Sequence, residues 1–179
     1  MISLIIPHAI LPGKAEILKG YMETVRGVDE IIIVANDKMG YGWACNRGAE
    51  LASGDYFIIS NDDIRLTKGT FKSLPNPEAV VVPIIDPTPR DYEPRCFFCI
   101  PRWAWEKIDG FDERFEVGYF EDDDMILRLR QEGIPTVVNH EVEIHHLNGG
   151  GTTLKQYGET ELMDANRARF EEKWSKQTK

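Results

Sequence analysis

The sequence has few cysteines and no hydrophobic run long enough to cross a membrane. Its three cysteines, Cys45, Cys96 and Cys99, are an odd number. The chain also begins without the basic segment and cleavage site of a signal peptide. We therefore expect reduced thiols and a cytoplasmic protein that does not span a membrane. Cys96 and Cys99 have the spacing of a zinc knuckle, but no second pair accompanies them, which favours buried strand cysteines.

Positive charge is also scarce in this chain. It carries 21 Lys and Arg against 30 Asp and Glu, a formal net charge of −9. This balance argues against nucleic acid as a partner, because affinity for a phosphate backbone depends on Lys and Arg. A small phosphorylated ligand held through a metal remains compatible with it. The length of 179 residues predicts one domain with its own hydrophobic core.

Apolar segments alternate with amphipathic ones in the first sixty residues. Strands are predicted at 2–7, 30–35 and 56–60, and helices at 14–26 and 43–53. This alternation is typical of parallel strands joined by right-handed crossovers. We therefore predict an α/β fold with a Rossmann-related, mostly parallel central sheet flanked by helices.

The later part of the chain continues with predicted strands at 80–85, 95–100, 136–139 and 142–146. Helices are predicted at 101–108, 121–131 and 160–174. Three prolines between residues 86 and 94 predict a loop. We expect this loop to separate a nucleotide-type half, residues 1–90, from a second half, residues 91–179.

Ser60-Asn61-Asp62-Asp63 directly follows the apolar run at 56–59, which forms most of the predicted strand. In open α/β sheets, ligands bind in the crevice beyond the carboxyl ends of the strands. Two adjacent carboxylates there repel each other unless a cation joins them, and oxygen ligands favour Mg²⁺ or Mn²⁺. The alternative interpretation is a simple polar turn.

Two other polar groups are candidates for chemistry. Glu121-Asp122-Asp123-Asp124 opens a predicted helix. One or two carboxylates interact favourably with the dipole at a helix start, but four like charges would repel one another. A carboxylate fixed at a helix start can serve as a general base. His145 and His146 end the last predicted strand, where alternation sends their rings to opposite faces, so one of them is expected to reach a site.

Three motifs together resemble the family-2-type glycosyltransferases of the GT-A fold. Residues 42–56 are similar to the family's Gly…Asn-x-Gly helix and the Ala-x-Gly-Asp-Tyr strand after it. Residues 60–63 stand at the place of the Asp-x-Asp motif. Residues 110–133 resemble the run Gly-Phe-Asp-Glu-x-Phe…Glu-Asp-x-Asp…Leu-x-Arg…Gly of the acceptor half. The resemblance covers nearly the whole chain and implies a single GT-A-like domain.

This resemblance implies a transferase that moves a hexosyl or deoxyhexosyl group, with inversion, from a nucleoside-diphosphate sugar to an acceptor hydroxyl. A UDP or dTDP donor and a divalent metal, Mn²⁺ or Mg²⁺, go with that activity. Asp122 would be the general base. The metal ligands would be Asp62, with Asp63 beside it, and either His145 or His146. The residues that would bind the donor are Pro7, His8, Asn36, Asp37, Gly42, Asn46 and Asn61.

The sequence departs from the family pattern at several points. Ala35 or Asn36 stands where the family has an Asp that contacts uracil, and Ser60 replaces the first Asp of Asp-x-Asp. The Gln-x-x-Arg-Trp motif of processive members is absent. The second half is short, so a homo-oligomer whose partner subunit completes the acceptor site is a further expectation.

Two other function classes remain open from the sequence. One is a catalytically degenerate module that binds a sugar nucleotide or a protein. The other is a sugar-phosphate nucleotidyltransferase, although residues 7–14 contain a single glycine and a single lysine where that class has a glycine-rich basic loop.

Overall fold

The computed structural model describes residues 1–36, 39–86, 92–147 and 159–175. The strands are β1 (Ile2–Ala9), β2 (Glu30–Asn36), β3 (Tyr56–Ser60), β4 (Ile64–Lys68), β5 (Val80–Ile85), β6 (Phe97–Pro101) and β7 (Thr136–His146). The helices are α1 (Lys14–Met22), α2 (Tyr41–Leu51), α3 (Arg102–Lys107), α4 (Glu121–Gln131) and α5 (Glu159–Ser175), with a 3-10 turn at Phe71–Ser73. None of the described helices is long and apolar enough to cross a membrane.

All seven described strands lie in one sheet, in the order β2-β1-β3-β6-β5-β7-β4. β1 pairs in parallel with β2 and β3, and β5 pairs in parallel with β7. β6 runs antiparallel to β3 and β5, and β4 runs antiparallel to β7. The α/β class is therefore confirmed, with the parallel βαβαβ part confined to the N-terminal half and a mixed arrangement in the rest.

The close approach of α2 to the sheet depends on small side chains. A Cβ atom added at Gly48 would lie 2.2 Å from Ile5 Cγ2, so only glycine allows this distance. Ala44 and Ala49 on the same helix are buried. Because the helix lies this close to β1, its N-terminal end is held near the carboxyl ends of the strands.

The apolar core forms two layers on opposite faces of the sheet, since alternate residues of one strand point to opposite sides. One layer packs Phe57 and Phe111 against Trp105 in edge-to-face contacts, with centroids 6.2 and 5.5 Å from the indole ring. Such aromatic pairs add about 0.5–1.5 kcal/mol each to the area they bury. The other layer contains Tyr21 and Phe97. The two layers hold the sheet in place beneath the polar motifs, which follow the carboxyl ends of its strands.

Three elements differ from the sequence prediction. β4 is not predicted, because it is a short edge strand whose last two residues are exposed polar groups. Residues 136–146 form one strand instead of two, since an irregularity after Asn139 is absorbed within the β5–β7 pairing. α1 ends at Met22 instead of residue 26, because the N–H and hydroxyl of Thr24 both donate to the carbonyl of Tyr21 and turn the chain.

Candidate functional site

The two strand-end aspartates point toward different neighbours. Asp62 lies toward β1 and α1, where Lys14 Nζ donates to Oδ1 and His8 Nδ1 contacts Oδ2, each at 2.8 Å. All three side chains are largely buried. Both oxygens of Asp62 are therefore engaged by basic groups, and a metal there would have to displace Lys14. Asp62 is thus part of a buried ion cluster, and its role as a metal ligand stays a prediction. The sequence prediction missed Lys14 as a member of this site.

Asp63 lies on the other side, against β7. Its Oδ1 is 2.9 Å from Nε2 of His146, and the two side chains are 4% and 5% exposed. The contact is a close ion pair, and Oδ1 is a buried carboxylate oxygen with no other partner among the described residues. Asn61 Nδ2 lies 3.2 Å from the same His146 nitrogen. Asp63, Asn61 and His146 thus form one group at the carboxyl end of β3.

Charge interactions keep Asp63 and His146 ionised. Burial acts to raise the pKa of Asp63, but His146 and the positive charge of Lys14 outweigh it, so that the pKa lies below its usual value. Burial acts to lower the pKa of His146, whereas contacts with Asp63 and Cys96 raise it to about 10. Both side chains are therefore charged at neutral pH.

The second histidine lies apart from this group. The side chain of His145 is half exposed, and its Nδ1 contacts Oδ1 of Asp86. The same oxygen accepts the backbone N–H of His146 at 3.1 Å. Strand alternation separates the two rings as expected, and His146 is the one that meets Asp63. The contacts give no support to His145 as a metal ligand.

The Asp63–His146 pair suits a hard divalent cation. Among the described residues, no three His, Cys, Asp or Glu side chains are arranged to hold a metal. The pair offers Oδ1 of Asp63 directly, whereas Nε2 of His146 can become a ligand only after the ring has lost its proton. Mg²⁺ in particular often has few protein ligands, with substrate phosphates and water completing its coordination. The residues present therefore fit Mn²⁺ or Mg²⁺ shared with a diphosphate.

The four acids at the start of α4 have different environments. Glu121 and Asp124 are buried, whereas the side chains of Asp122 and Asp123 are 24% and 40% exposed. Arg95 pairs with Asp122 Oδ2 at 2.7 Å and with Asp123 Oδ1 at 2.8 Å. Asp122 Oδ1 accepts the N–H of Asp123 at 2.9 Å. Asp122 is thus a partly exposed carboxylate held at both oxygens.

Glu121 has the most unusual environment of the four. Its Oε2 is buried and has no hydrogen bond among the described residues. Burial and the adjacent charge of Asp122 raise the pKa of Glu121 to about 8. Its side chain is therefore largely protonated at neutral pH, and only its minor ionised form could replace Asp122 as a proton acceptor.

Replacing Glu121 by glutamine should stabilise the protein at pH 8.5 but change little at pH 5. Because the pKa of Glu121 rises from 4.5 to about 8 on folding, the folded state binds more protons and stability falls as pH rises through this interval. Glutamine cannot ionise, so at pH 8.5 the free energy of unfolding of the variant should exceed that of the unmodified protein by on the order of a few kcal/mol. Urea denaturation at both pH values measures it, with Asp123→Asn as an exposed control. An equal change at both pH values would contradict the raised pKa.

Several predicted donor-binding residues lie together where β1 and β2 end. His8 and Asn36 stand near the carboxyl ends of adjacent strands, where Ala9 pairs with Asn36. Pro7 precedes His8 and is buried. Asn36 Oδ1 is buried without a hydrogen bond among the described residues, so it is an available acceptor. Asp37 lies outside the residues that the structure describes.

Gly42 and Asn46 face a different partner. Asn46 Oδ1 accepts the N–H of Phe111 at 2.9 Å, and its Nδ2 donates to the Phe111 carbonyl and to Glu113. A Cβ atom added at Gly42 would lie 3.0 Å from Phe111 Cβ. Their contacts join α2 to the Gly-Phe-Asp-Glu segment, and donor binding by either residue stays a prediction. Two of the recognised motifs therefore contact each other.

A cleft of about 790 Å³ lies between α2, α3 and residues 109–114. Of the predicted site residues, it is lined by Asn46 alone. The charged residues that line it include Arg102, Asp112 and Lys173. The cleft is therefore separate from the Asp63–His146 pair and from Asp122.

Comparison with known proteins was made for both sequence and structure. Residues 12–86 match the family model of Glycosyl transferase family 2. No curated protein sequence matches the chain. The catalytic domain of Drosophila β1,4-galactosyltransferase 7 in complex with xylobiose superposes with a TM-score of 0.63 at 17% identity, covering 76% of this chain and 63% of that structure.

Two further solved structures cover more of the chain. GalNAc-T7 with UDP, GalNAc and Mn²⁺ gives a TM-score of 0.68 at 13% identity, covering 96% of this chain and 50% of the other. The mannosyltransferase PcManGT from Pyrobaculum calidifontis, in complex with GDP-Man and Mn²⁺, gives 0.66 at 12% identity, covering 94% and 63%. The chain thus spans between 50% and 63% of the length of these structures.

At such identities the superpositions establish the fold, while the family model concerns the sequence of the N-terminal half. The two findings agree with the motifs read from the sequence. The resemblance to family-2-type glycosyltransferases is therefore borne out over residues 12–86 by the family model, and the solved structures show that the chain has their fold.

Proposed function

We propose that the protein is a divalent-metal-dependent glycosyltransferase that moves a hexosyl or deoxyhexosyl group from a nucleoside-diphosphate sugar to an acceptor hydroxyl, with inversion. The observation that carries this proposal is the buried Oδ1 of Asp63, which lies 2.9 Å from Nε2 of His146. It lies beyond a strand carboxyl end, where α/β sheets bind ligands. Mn²⁺ accompanies UDP or GDP-Man in two solved structures of the same fold, which supports the choice of ligand.

The nucleoside would bind where β1 and β2 end. The buried Oδ1 of Asn36 has no hydrogen bond among the described residues, and leaving such an acceptor unpaired costs about 1–3 kcal/mol. Uracil and thymine each present one ring N–H that can donate a hydrogen bond to this oxygen. We therefore keep a UDP or dTDP sugar as the proposed donor.

The diphosphate would lie between Asp63 and the buried cluster of His8, Lys14 and Asp62. Asp63 and His146 would hold the metal, which when bound would act as a Lewis acid toward the charge on the leaving diphosphate. Lys14 contributes a fixed positive charge from the protein, and its influence already reaches Asp63. This side of the site would stabilise negative charge on the leaving group.

Asp122 would act from the opposite side as general base. It takes the proton from the acceptor hydroxyl, whose oxygen attacks the anomeric carbon while the bond from that carbon to the diphosphate breaks. Arg95 and the N–H of Asp123 hold its two oxygens and fix the direction of the carboxylate. A positioned base contributes ~10²–10⁴-fold in rate. One displacement of this kind inverts the anomeric centre.

The two halves of the chain would meet at this site. Asn36, Lys14 and Asp63 come from residues 1–90, whereas Asp122 and His146 come from residues 91–179. Residue 90 therefore remains our proposed division between a donor half and a catalytic half. A cytoplasmic location and a homo-oligomer stay predictions from the sequence.

A thermal-shift screen with Mn²⁺ and nucleoside diphosphates should show stabilisation by UDP or dTDP that EDTA removes. A ligand present at ~100 times its Kd stabilises the folded state by roughly 2.7 kcal/mol. GDP and ADP are the matched controls, and stabilisation by these purine nucleotides alone would refute the pyrimidine donor. Nucleoside-diphosphate release from a panel of nucleotide sugars then tests the reaction. Binding without any release would favour a catalytically degenerate module.

A further inference from the structure

The loop that leads into α4 has a strained backbone. Val117, Tyr119 and Phe120 have φ angles of 63°, 72° and 70°, a left-handed conformation that residues other than glycine adopt rarely. Such a conformation persists only where surrounding contacts hold it. Because Asp122 is the second residue of α4, this loop determines where its carboxylate lies.

Asn166 of α5 makes direct contacts with this loop. Its side chain is fully buried, and Nδ2 lies 3.0 Å from the carbonyl of Glu116, 2.8 Å from that of Gly118 and 3.2 Å from that of Tyr119. An amide has two N–H donors, so the three carbonyls share them. Oδ1 accepts Nη1 of Arg169 at 2.7 Å. Both ends of the side chain are therefore satisfied by this arrangement.

Other residues of α5 reinforce the attachment on both sides of Asp122. Phe170 packs against Phe120, with ring centroids 5.5 Å apart, before the acidic residues. After them, Lys173 pairs with the buried Asp124 at 2.6 Å, and Trp174 Nε1 donates to the same residue at 3.0 Å. The loop also contacts α2, since Val117 accepts the N–H of Tyr41 at 3.1 Å. The start of α4 is thus held from three directions.

We propose that Asn166 is a positioning residue for Asp122, acting through the backbone of residues 116–120. This inference rests on the proposed function, in which Asp122 is the base. A base must lie within about 2.6–3.2 Å of the proton it takes. Release of the three carbonyls would let the loop relax from its left-handed conformation and move the carboxylate. A displacement of about 1 Å at a reacting group can slow a reaction ~10²-fold.

The test compares Asn166→Ala with Asp164→Ala, a change of an exposed residue on the same helix. In Asn166→Ala, we expect faster amide hydrogen exchange over residues 116–120 and Mn²⁺-dependent UDP binding within about twofold of the unmodified protein. Nucleoside-diphosphate release from the UDP or dTDP sugar that the donor screen selects should slow at least ~10-fold through kcat with KM unchanged. Asp164→Ala should change none of these quantities.

Each result decides the inference. Unchanged exchange over residues 116–120 would overturn the attachment, and faster exchange with unchanged kcat would overturn the positioning role. If Asn166→Ala does not fold, Asn166→Ser keeps one hydroxyl donor and should give a smaller effect in the same direction. Asp122→Asn measured in parallel separates the two proposals. Full turnover in that variant would refute the proposed base, whereas the exchange measurement would still test the contact between α5 and the loop.

Discussion

Replacing Asp63 by asparagine should weaken Mn²⁺-dependent binding of UDP by at least ~100-fold, or about 2.7 kcal/mol. Asparagine keeps the shape of the side chain but removes the anionic ligand, and the remaining partner is His146 at 2.9 Å. His146→Gln should have an effect of the same kind, because the two residues form one pair. Isothermal titration of UDP in the presence and absence of Mn²⁺ measures both variants.

Matched controls exist for each of these substitutions. His145→Gln should leave binding unchanged, since that ring contacts Asp86 and not Asp63. Asp62→Asn should retain metal-dependent binding but lose stability, because it leaves the buried Lys14 without its anionic partner. Breaking a buried ion pair in this way costs on the order of 3–5 kcal/mol. If Asp62→Asn abolishes binding while Asp63→Asn does not, the metal assignment drawn from the sequence motif is the right one.

Much of the fold could be predicted from the sequence because its signals are local. The apolar runs of β3 and β5, and the apolar spacing of α4, gave the bounds that the structure has. β4 has no such signal, since its pairing with β7 joins residues about eighty positions apart. The irregularity in β7 could not be foreseen either, because it depends on the register against β5. Long-range pairing, and not propensity, determines these two elements.

The residues of the candidate site could be predicted from the sequence, but the neighbours that each side chain contacts could not. Alternation along β7 correctly separated His145 from His146, because a strand has a fixed period. Asp62 and Asp63 follow the strand end, where that period no longer applies, and their partners Lys14 and His146 are distant in sequence. Asn166 gives no local signal at all, since it bonds to backbone carbonyls that any sequence provides. Contacts with main-chain atoms therefore escape a motif-based prediction.

Replacing Asp122 by asparagine should slow sugar transfer at least ~10²-fold while leaving Mn²⁺ and donor binding unchanged. The amide is similar in shape and can still accept the N–H of Asp123, but it cannot take a proton. The loss should therefore fall on kcat, because the carboxylate acts on the acceptor and not on the donor diphosphate. Single-turnover transfer, with the donor-loaded enzyme in excess over the acceptor, measures the chemical step directly.

Two neighbouring carboxylates serve as controls for this result. Asp123→Asn removes an exposed acid that shares Arg95 with Asp122, and it should keep most of the transfer rate. Glu121→Gln removes the buried acid whose pKa is raised to about 8, and it should also transfer sugar if that side chain stays protonated during the reaction. An inactive Glu121→Gln beside an active Asp122→Asn would identify Glu121 as the base. Full activity in all three variants would mean that these carboxylates serve the structure of α4 and take no proton from the acceptor.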